Sequence, residues 1–336
     1  MQMNQGFWGK LKALRQAQDK PFTVLAPMAN VTDFAFRSIV AKCGRPDVFY
    51  TEFISCDGIV AKPDKFKGEL YFEKSESPIV VQFFGSKPEN FYKCAKLAVE
   101  MGYDGIDINM GCPDRSIEKQ GAGAALIKNP KLAIEIIKAT QEGAGKLPVS
   151  VKTRLGYNKL EIEDWIPQIA QTNPAALIVH GRTRKEMSKA NAQWDQIEKA
   201  AQIARAISPE TLIIGNGDIK NLEDGLRKAE DHKLDGIMVG RGIFDNPWFF
   251  NVRPRKSDIK PKQRIELMLE HVRLFEKLWG HPPAGGKNYD VLKRFFKIYI
   301  SNWDGAKELR TELMTTKSGQ EVKKIVAQEK YSDIMK

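Results

Sequence analysis

The chain has 336 residues, 28% of them charged, and a formal net charge of +11. No apolar run approaches the roughly 18 residues of a membrane-spanning helix, so a membrane partner is not expected. The four cysteines, Cys43, Cys56, Cys94 and Cys112, have no CxxC or other metal-ligand spacing, which argues against a bound metal and for a reduced, cytoplasmic setting.

The length suits a barrel followed by a smaller domain. At the start, Phe7, Trp8, Leu11 and Leu14 alternate with Lys10, Lys12 and Arg15. An amphipathic basic stretch of this kind also suits a transit peptide. A strand begins almost at once, near Phe22, so a short helix packed on the domain is the preferred reading.

Eight short β-rich runs follow: Phe22–Ala26, Val48–Glu52, Ile79–Phe83, Gly105–Asn109, Val149–Thr153, Ala176–His180, Leu212–Gly215 and Gly236–Val239. Most are continuously apolar, as strands buried on both faces should be. Helix-length amphipathic stretches such as Pro88–Met101, Pro130–Ala144 and Glu161–Gln171 lie between them. Eight β-α units in about 250 residues is the pattern of a (β/α)8 TIM barrel. A doubly wound open sheet is the alternative, but no GxGxxG follows the first strand.

The pattern changes after Phe250. Residues 251–262 read as a linker, and 263–336 as a small C-terminal helical bundle. Its apolar stripes are Ile265 to Leu278, Val291 to Tyr299, Ala306 to Leu313, and Val322 to the end. From Val252 onward there are 19 Lys/Arg against 11 Asp/Glu, so this quarter of the chain carries +8 of the excess charge. A local positive excess points to a polyanion such as nucleic acid; the alternative is an ordinary lysine-rich surface.

In such barrels chemistry sits at the carboxyl ends of the strands. Polar residues recur there: Gln82 on strand three, Asn109 and Cys112 at strand four, Lys152 and Arg154 on strand five, His180 and Arg182 at strand six. Strands seven and eight end in Asn216-Gly217-Asp218 and Gly240-Arg241-Gly242. Glycines there let backbone N–H groups approach an anion, and Arg241 adds charge, which suits one phosphate; tight turns with an incidental arginine are the alternative. A buried lysine such as Lys152 needs an anionic partner. Cys112, on a Gly/Pro turn past a strand end, keeps its proton at neutral pH if its thiol is unperturbed, and is placed as a general acid. The other three cysteines suit inert burial.

The motifs Ala26-Pro27-Met28-Ala29-Asn30-Val31-Thr32-Asp33, Asp107-Ile108-Asn109-Met110-Gly111-Cys112-Pro113, Val151-Lys152-Thr153-Arg154, His180-Gly181-Arg182-Thr183-Arg184 and Asn216-Gly217-Asp218-Ile219, in this order, resemble those of the tRNA-dihydrouridine synthase family. The resemblance covers about Leu25 to Phe250 and implies a flavoenzyme with residues 1–250 as its FMN-binding catalytic barrel. It implies that NADPH or NADH reduces FMN, that hydride passes to C6 of a tRNA uridine, and that Cys112 protonates C5. It further implies FMN contacts from Pro27, Met28, Ala29, Gln82, Lys152, His180, Asn216, Gly217, Asp218, Gly240 and Arg241. Asn109 and Arg154, with Arg182 and Arg184 as further candidates, would hold the uracil. The resemblance implies tRNA as the partner, gripped by the helical tail, and the enzyme is expected to be a monomer. A barrel acting on a free pyrimidine, similar to dihydroorotate dehydrogenases, is the competing reading; it leaves the basic tail without a role. A flavin-free tRNA-binding protein is the other.

Overall fold

Eight parallel strands form one sheet in the order β1-β8-β7-β6-β5-β4-β3-β2, and a bridge between Val24 and Val48 joins its two edges into a barrel. This is a computed structural model, and it describes residues 6–18, 20–244, 246–251, 256–280, 286–331 and 334. The strands are β1 (Phe22–Leu25), β2 (Phe49–Ser55), β3 (Ile79–Phe84), β4 (Gly105–Met110), β5 (Val149–Arg154), β6 (Ala176–His180), β7 (Leu212–Asn216) and β8 (Gly236–Val239). Each expected run becomes a strand, and the strands are almost wholly buried. That burial follows from helices outside and packed side chains inside, which is why the runs are apolar without alternation.

Two apolar clusters divide the strand residues. Val24, Val48, Val80, Ile178, Ile214 and Met238 belong to the barrel interior. Val81, Ile106, Ile108, Val151, Val179 and Ile237 face the helices instead. The period of two in strand side chains makes this division. The first helix, Gly6–Gln18, packs its fully buried Trp8 against Phe22, ring centroids 5.8 Å apart, at the amino end of the barrel. The stretch is thus a packed helix in this fold.

The helices Pro88–Met101 and Pro130–Ala144 have the expected bounds, and Ile162–Ala170 is one residue shorter at each end. In the C-terminal part the long helix Pro261–Trp279 starts inside the segment expected to be linker. The rest of that linker falls partly on residues outside the description. The Val291–Tyr299 stripe forms two short helices, Asp290–Lys293 and Phe296–Tyr299. Between them Phe295 packs against Phe36 and His271, centroids 5.0 and 4.9 Å away, so the break follows a contact with the barrel helix Phe34–Cys43. The last stripe begins earlier than expected, at Gly319, where the Ser318 hydroxyl accepts from Glu321 N–H and caps the helix.

The helical part is fastened to the barrel by a buried charge cluster. Lys287 Nζ bonds Glu52 on β2 at 2.5 Å and Asp33 at 3.3 Å. The Trp279 indole N–H donates to Asp33 at 3.1 Å, and the ammonium lies 4.7 Å from the Trp279 ring centroid. Asn30 N–H donates to Glu52, so the same carboxylate also holds the turn after β1, where Asn30 adopts a φ of +56°. Removing one member of a buried ionic group strands the others, typically at about 3–5 kcal/mol. Lys287→Met is therefore expected to lower unfolding stability by about 3 kcal/mol at neutral pH, read by denaturant titration. Burial raises the Glu52 pKa, so protonating it in mild acid narrows the gap.

Candidate active site

A cavity of about 620 Å³ opens at the carboxyl end of the barrel, within the size range of cofactor sites. Ala26, Pro27, Met28 and Met238 form an apolar side. Lys152, His180, Arg182 and Asn216 line the cavity from strands five to seven, and Gly217, Asp218, Gly240 and Arg241 from the last two loops. Ten of the residues read from the sequence therefore share one cavity. Ile219 and Gly242, from the two quoted strand-end stretches, line it too, and so do Ser188, Asn191 and Lys220, which were missed because they sit on loops with no motif to mark them.

Lys152 Nζ donates to Asn216 Oδ1 at 3.2 Å, and Asn216 Nδ2 donates to Met238 O at 2.7 Å. The asparagine thus anchors the lysine from the neighbouring wall. Burial pushes the Lys152 pKa down to about 8, and nearby Arg154 adds to the shift. An anion in the cavity would restore what water no longer supplies.

His180 is held neutral. Burial lowers its pKa well below the ordinary value, and the cations Arg154, Lys152, Arg182 and Arg241 add to the effect. Arg182 Nη1 lies 3.1 Å from His180 Nε2. A guanidinium only donates, so Nε2 is the acceptor and the proton sits on Nδ1.

The phosphate-type end is built by the two loops. Gly217 has φ +133°, a conformation that L side chains rarely adopt. A Cβ at Gly240 would stand 3.7 Å from Ala26 and 3.8 Å from Met28, beside the cavity wall. Asp218 (φ +46°) accepts from Ala192 N–H at 2.8 Å and from Arg182 Nη2, and its other oxygen is 3.7 Å from Arg241. Its carboxylate is thus neutralised by two arginines and turned into the loop. The side-chain donors at this end of the cavity are the largely exposed Arg241 and Lys220.

Arg182 and Arg184, expected at the uracil, both have partners within the protein. Arg182 is buried and divides its guanidinium among Ala190 O (2.6 Å), His180 and Asp218, so it braces the phosphate-type loop. Arg184 pairs with Glu118 through Nε at 2.8 Å and lies over Tyr157. It does not line the cavity, because a carboxylate 66 positions away in the chain takes its charge.

Ala29, Gln82, Asn109, Arg154 and Cys112 also lie outside the cavity lining. Gln82 is fully buried, donating to Asp107 at 2.7 Å and accepting from Asn109 at 2.9 Å. Asn109 Oδ1 accepts from the N–H groups of Gly111 (3.1 Å) and Cys112 (2.9 Å). Arg154 donates Nε to Gly111 O at 2.6 Å and Nη1 to Thr183 O and Met187 O, each at 3.1 Å. Asn109 and Arg154 therefore hold the Cys112 turn from both sides.

Cys112 is half-buried, whereas the other three cysteines are buried. Desolvation raises its pKa, with Asp114 N–H, Arg154 and Lys152 pulling the other way. The thiol feels Lys152 and Arg154 because all three share the β4–β5 side of the barrel mouth. The raised value keeps the proton on sulfur through the neutral range.

A closed parallel barrel with a cationic, glycine-edged cavity and a half-buried thiol on the same rim defines the class: an α/β barrel whose mouth suits an anionic ligand. Comparison with known proteins places it further. The chain belongs to the dihydrouridine synthase (Dus) family, whose model matches residues 24–336. It is 42% identical over 328 residues to the probable tRNA-dihydrouridine synthase of Staphylococcus aureus strain COL, covering 96% of this chain and 95% of that protein. It is 41% identical over 336 residues to the probable tRNA-dihydrouridine synthase 2 of Bacillus subtilis strain 168, covering 98% and 99%. Among solved structures morphinone reductase matches at a TM-score of 0.49 and 12% identity, over 68% of this chain and 84% of that one. Membership makes this chain a flavin-dependent oxidoreductase acting on uridine.

Proposed function

We propose that this chain reduces uridines of tRNA to 5,6-dihydrouridine, with FMN in the cavity and Cys112 as the proton donor. The observation that carries the reading is the sharing of one rim by Lys152, inside the cavity, and Cys112, just outside it. FMN bound there, reduced by NADPH or NADH, would supply the hydride for C6 of the uracil.

The residues fit that cofactor. Gly217, Gly240 and Arg241 suit its single phosphate. Pro27, Met28 and Ala29 suit one ring face. Lys152 and Asn216, with neutral His180 nearby, suit the polar edge of its pyrimidine. Gln82 keeps one unused amide hydrogen and one lone pair for the same edge. Asn109 and Arg154 support the turn that presents Cys112 and retain further hydrogen-bonding capacity for the uracil. Cys112 gives its proton to C5, and the raised thiol pKa keeps that proton in place at neutral pH.

The uridine must leave its stack to enter the mouth, at an expected few kcal/mol. Contacts to the RNA backbone compensate for that. Lys293, Arg294, Lys297, Lys307 and Arg310 line a groove of about 320 Å³ on the helical part, together with Phe296 and Met314. Its charge suits phosphates and its apolar floor a base or sugar. Replacing Lys293, Arg294 and Lys297 together by alanine is expected to weaken tRNA binding and flatten its salt dependence by about two units of log–log slope, measured by titration at several salt concentrations. Wild-type salt dependence in the triple variant would remove the groove from the RNA contact. The activity itself is tested with purified protein, flavin, NADPH and unmodified tRNA, followed by mass spectrometry. A gain of two hydrogens at a uridine is the expected product; its absence with a reducible bound flavin would overturn the reading.

A further inference from the structure

A polar chain crosses the top of the barrel and ends at the Cys112 turn. Tyr50 hydroxyl lies 3.3 Å from Ser150 Oγ, which donates to Asp107 Oδ1 at 2.6 Å. Asp107 Oδ2 accepts from Gln82 Nε2, Gln82 Oε1 accepts from Asn109 Nδ2, and Asn109 Oδ1 accepts from the Cys112 and Gly111 N–H groups. Tyr50, Ser150, Asp107 and Gln82 are fully buried and Asn109 nearly so.

The chain has a direction, fixed at its buried end by Asp107 and at its other end by the two donating backbone N–H groups. An amide is nearly symmetric in shape, so packing does not decide which end of Gln82 or Asn109 carries oxygen. Burial pushes the Asp107 pKa up to about 6, so at neutral pH its carboxylate is ionised and only accepts. It therefore draws the Gln82 NH₂, which turns Oε1 toward Asn109. That oxygen draws the Asn109 NH₂, which turns Oδ1 toward the turn. If Gln82 reversed, its NH₂ would meet the Asn109 NH₂; if Asn109 reversed to relieve that clash, its NH₂ would face the backbone N–H groups of Gly111 and Cys112, and the cap would be lost. Asp107 touches neither the cavity nor the thiol, and acts through two intervening side chains.

We propose that Asp107 is a positioning residue for the proton transfer: as the acceptor at the buried end of the chain it orients Gln82 and Asn109 and so holds the Cys112 turn in its reactive geometry. The inference rests on the assignment of Cys112 as donor, which Cys112→Ala tests separately.

The test uses Asp107→Leu and Asp107→Asn in the flavin-loaded enzyme. Leucine fills the space and accepts nothing. Asparagine keeps one oxygen for Gln82 and offers its NH₂ to Ser150 Oγ, which retains Ile106 O, 3.2 Å away, as its own acceptor. Cys112 is the one cysteine not buried, so iodoacetamide labelling mapped by peptide mass spectrometry reads the turn directly, whatever the activity. The leucine variant is expected to keep its flavin absorption and its KM for tRNA, to alkylate at Cys112 about tenfold faster, and to lose kcat by about tenfold, the scale of one buried hydrogen bond left unmade. The asparagine variant is expected to stay near wild type in both readouts. If leucine is alkylated at the wild-type rate with wild-type kcat, the inference is wrong. Equal loss in both variants also overturns it, because then the acceptor is not what matters. Should the leucine variant not accumulate as folded protein, Asp107→Ala carries the same test with the same two outcomes.

Discussion

Cys112→Ala is expected to form dihydrouridine about a hundredfold or more slowly than wild type while the purified protein stays yellow. General acids contribute factors of about 10² to 10⁴, and within the described residues the rim offers no equivalent acid to replace this one. His180 is held neutral by burial and four cations, so it carries no spare proton. Lys152 lies inside the cavity, held by Asn216, and Arg154 does not release a proton in this range. The remaining cysteines are buried and away from the cavity lining. The loss should fall on kcat, because removing one sulfur from a rim turn leaves the phosphate-type loops and the basic groove untouched. Reduction of the flavin by NADPH should proceed at the wild-type rate, since that half of the cycle needs no proton at C5. A pre-steady-state measurement separates the halves. Undiminished dihydrouridine in the alanine variant would show that the thiol is not the donor.

Much of the fold was readable because its strands are buried on both faces, which leaves continuous apolar runs between amphipathic helices. Eight such runs became eight strands. The cavity was readable where a strand-end motif carried it, as at Lys152, His180, Asn216 and the glycines. What resisted reading was pairing over long sequence distances. Arg184 looks like a free cation until Glu118 closes on it, and Arg182 looks like a substrate contact until Asp218 and His180 are seen around it. Gln82 and Asn109 are strand-end amides in the sequence; only in the fold are they consecutive links of one hydrogen-bonded chain. Loop residues such as Ser188, Asn191 and Lys220 reach the cavity through loop paths that no periodicity encodes. The Lys287 cluster was equally hidden, because its carboxylates lie more than 230 positions away.

Lys152→Met should move two properties in opposite directions, and the contrast isolates the lysine's role. In the flavin-free protein the ammonium faces a cavity and donates to Asn216, and its pKa is pushed down to about 8, first by burial and then by Arg154. A depressed lysine means the charged form is less favourable in the folded than in the unfolded chain. The penalty is complete below about pH 8 and vanishes as pH rises through the unfolded value near 10.4. Between those limits the unfolded state binds the extra proton, so wild-type stability climbs with pH. Methionine removes the charge and that slope together. Allowing for water in the open cavity, the flavin-free variant should be more stable at pH 7 by about 1–3 kcal/mol. Flavin affinity should fall by about tenfold to a hundredfold, the scale of a charge-assisted hydrogen bond in a partly dry site. Denaturant unfolding of flavin-free protein at pH 7 and pH 10 measures the first effect, and fluorescence titration with FMN the second. A variant that loses stability and binds flavin as tightly as wild type would mean that the ammonium serves the barrel core instead of an anion in its mouth.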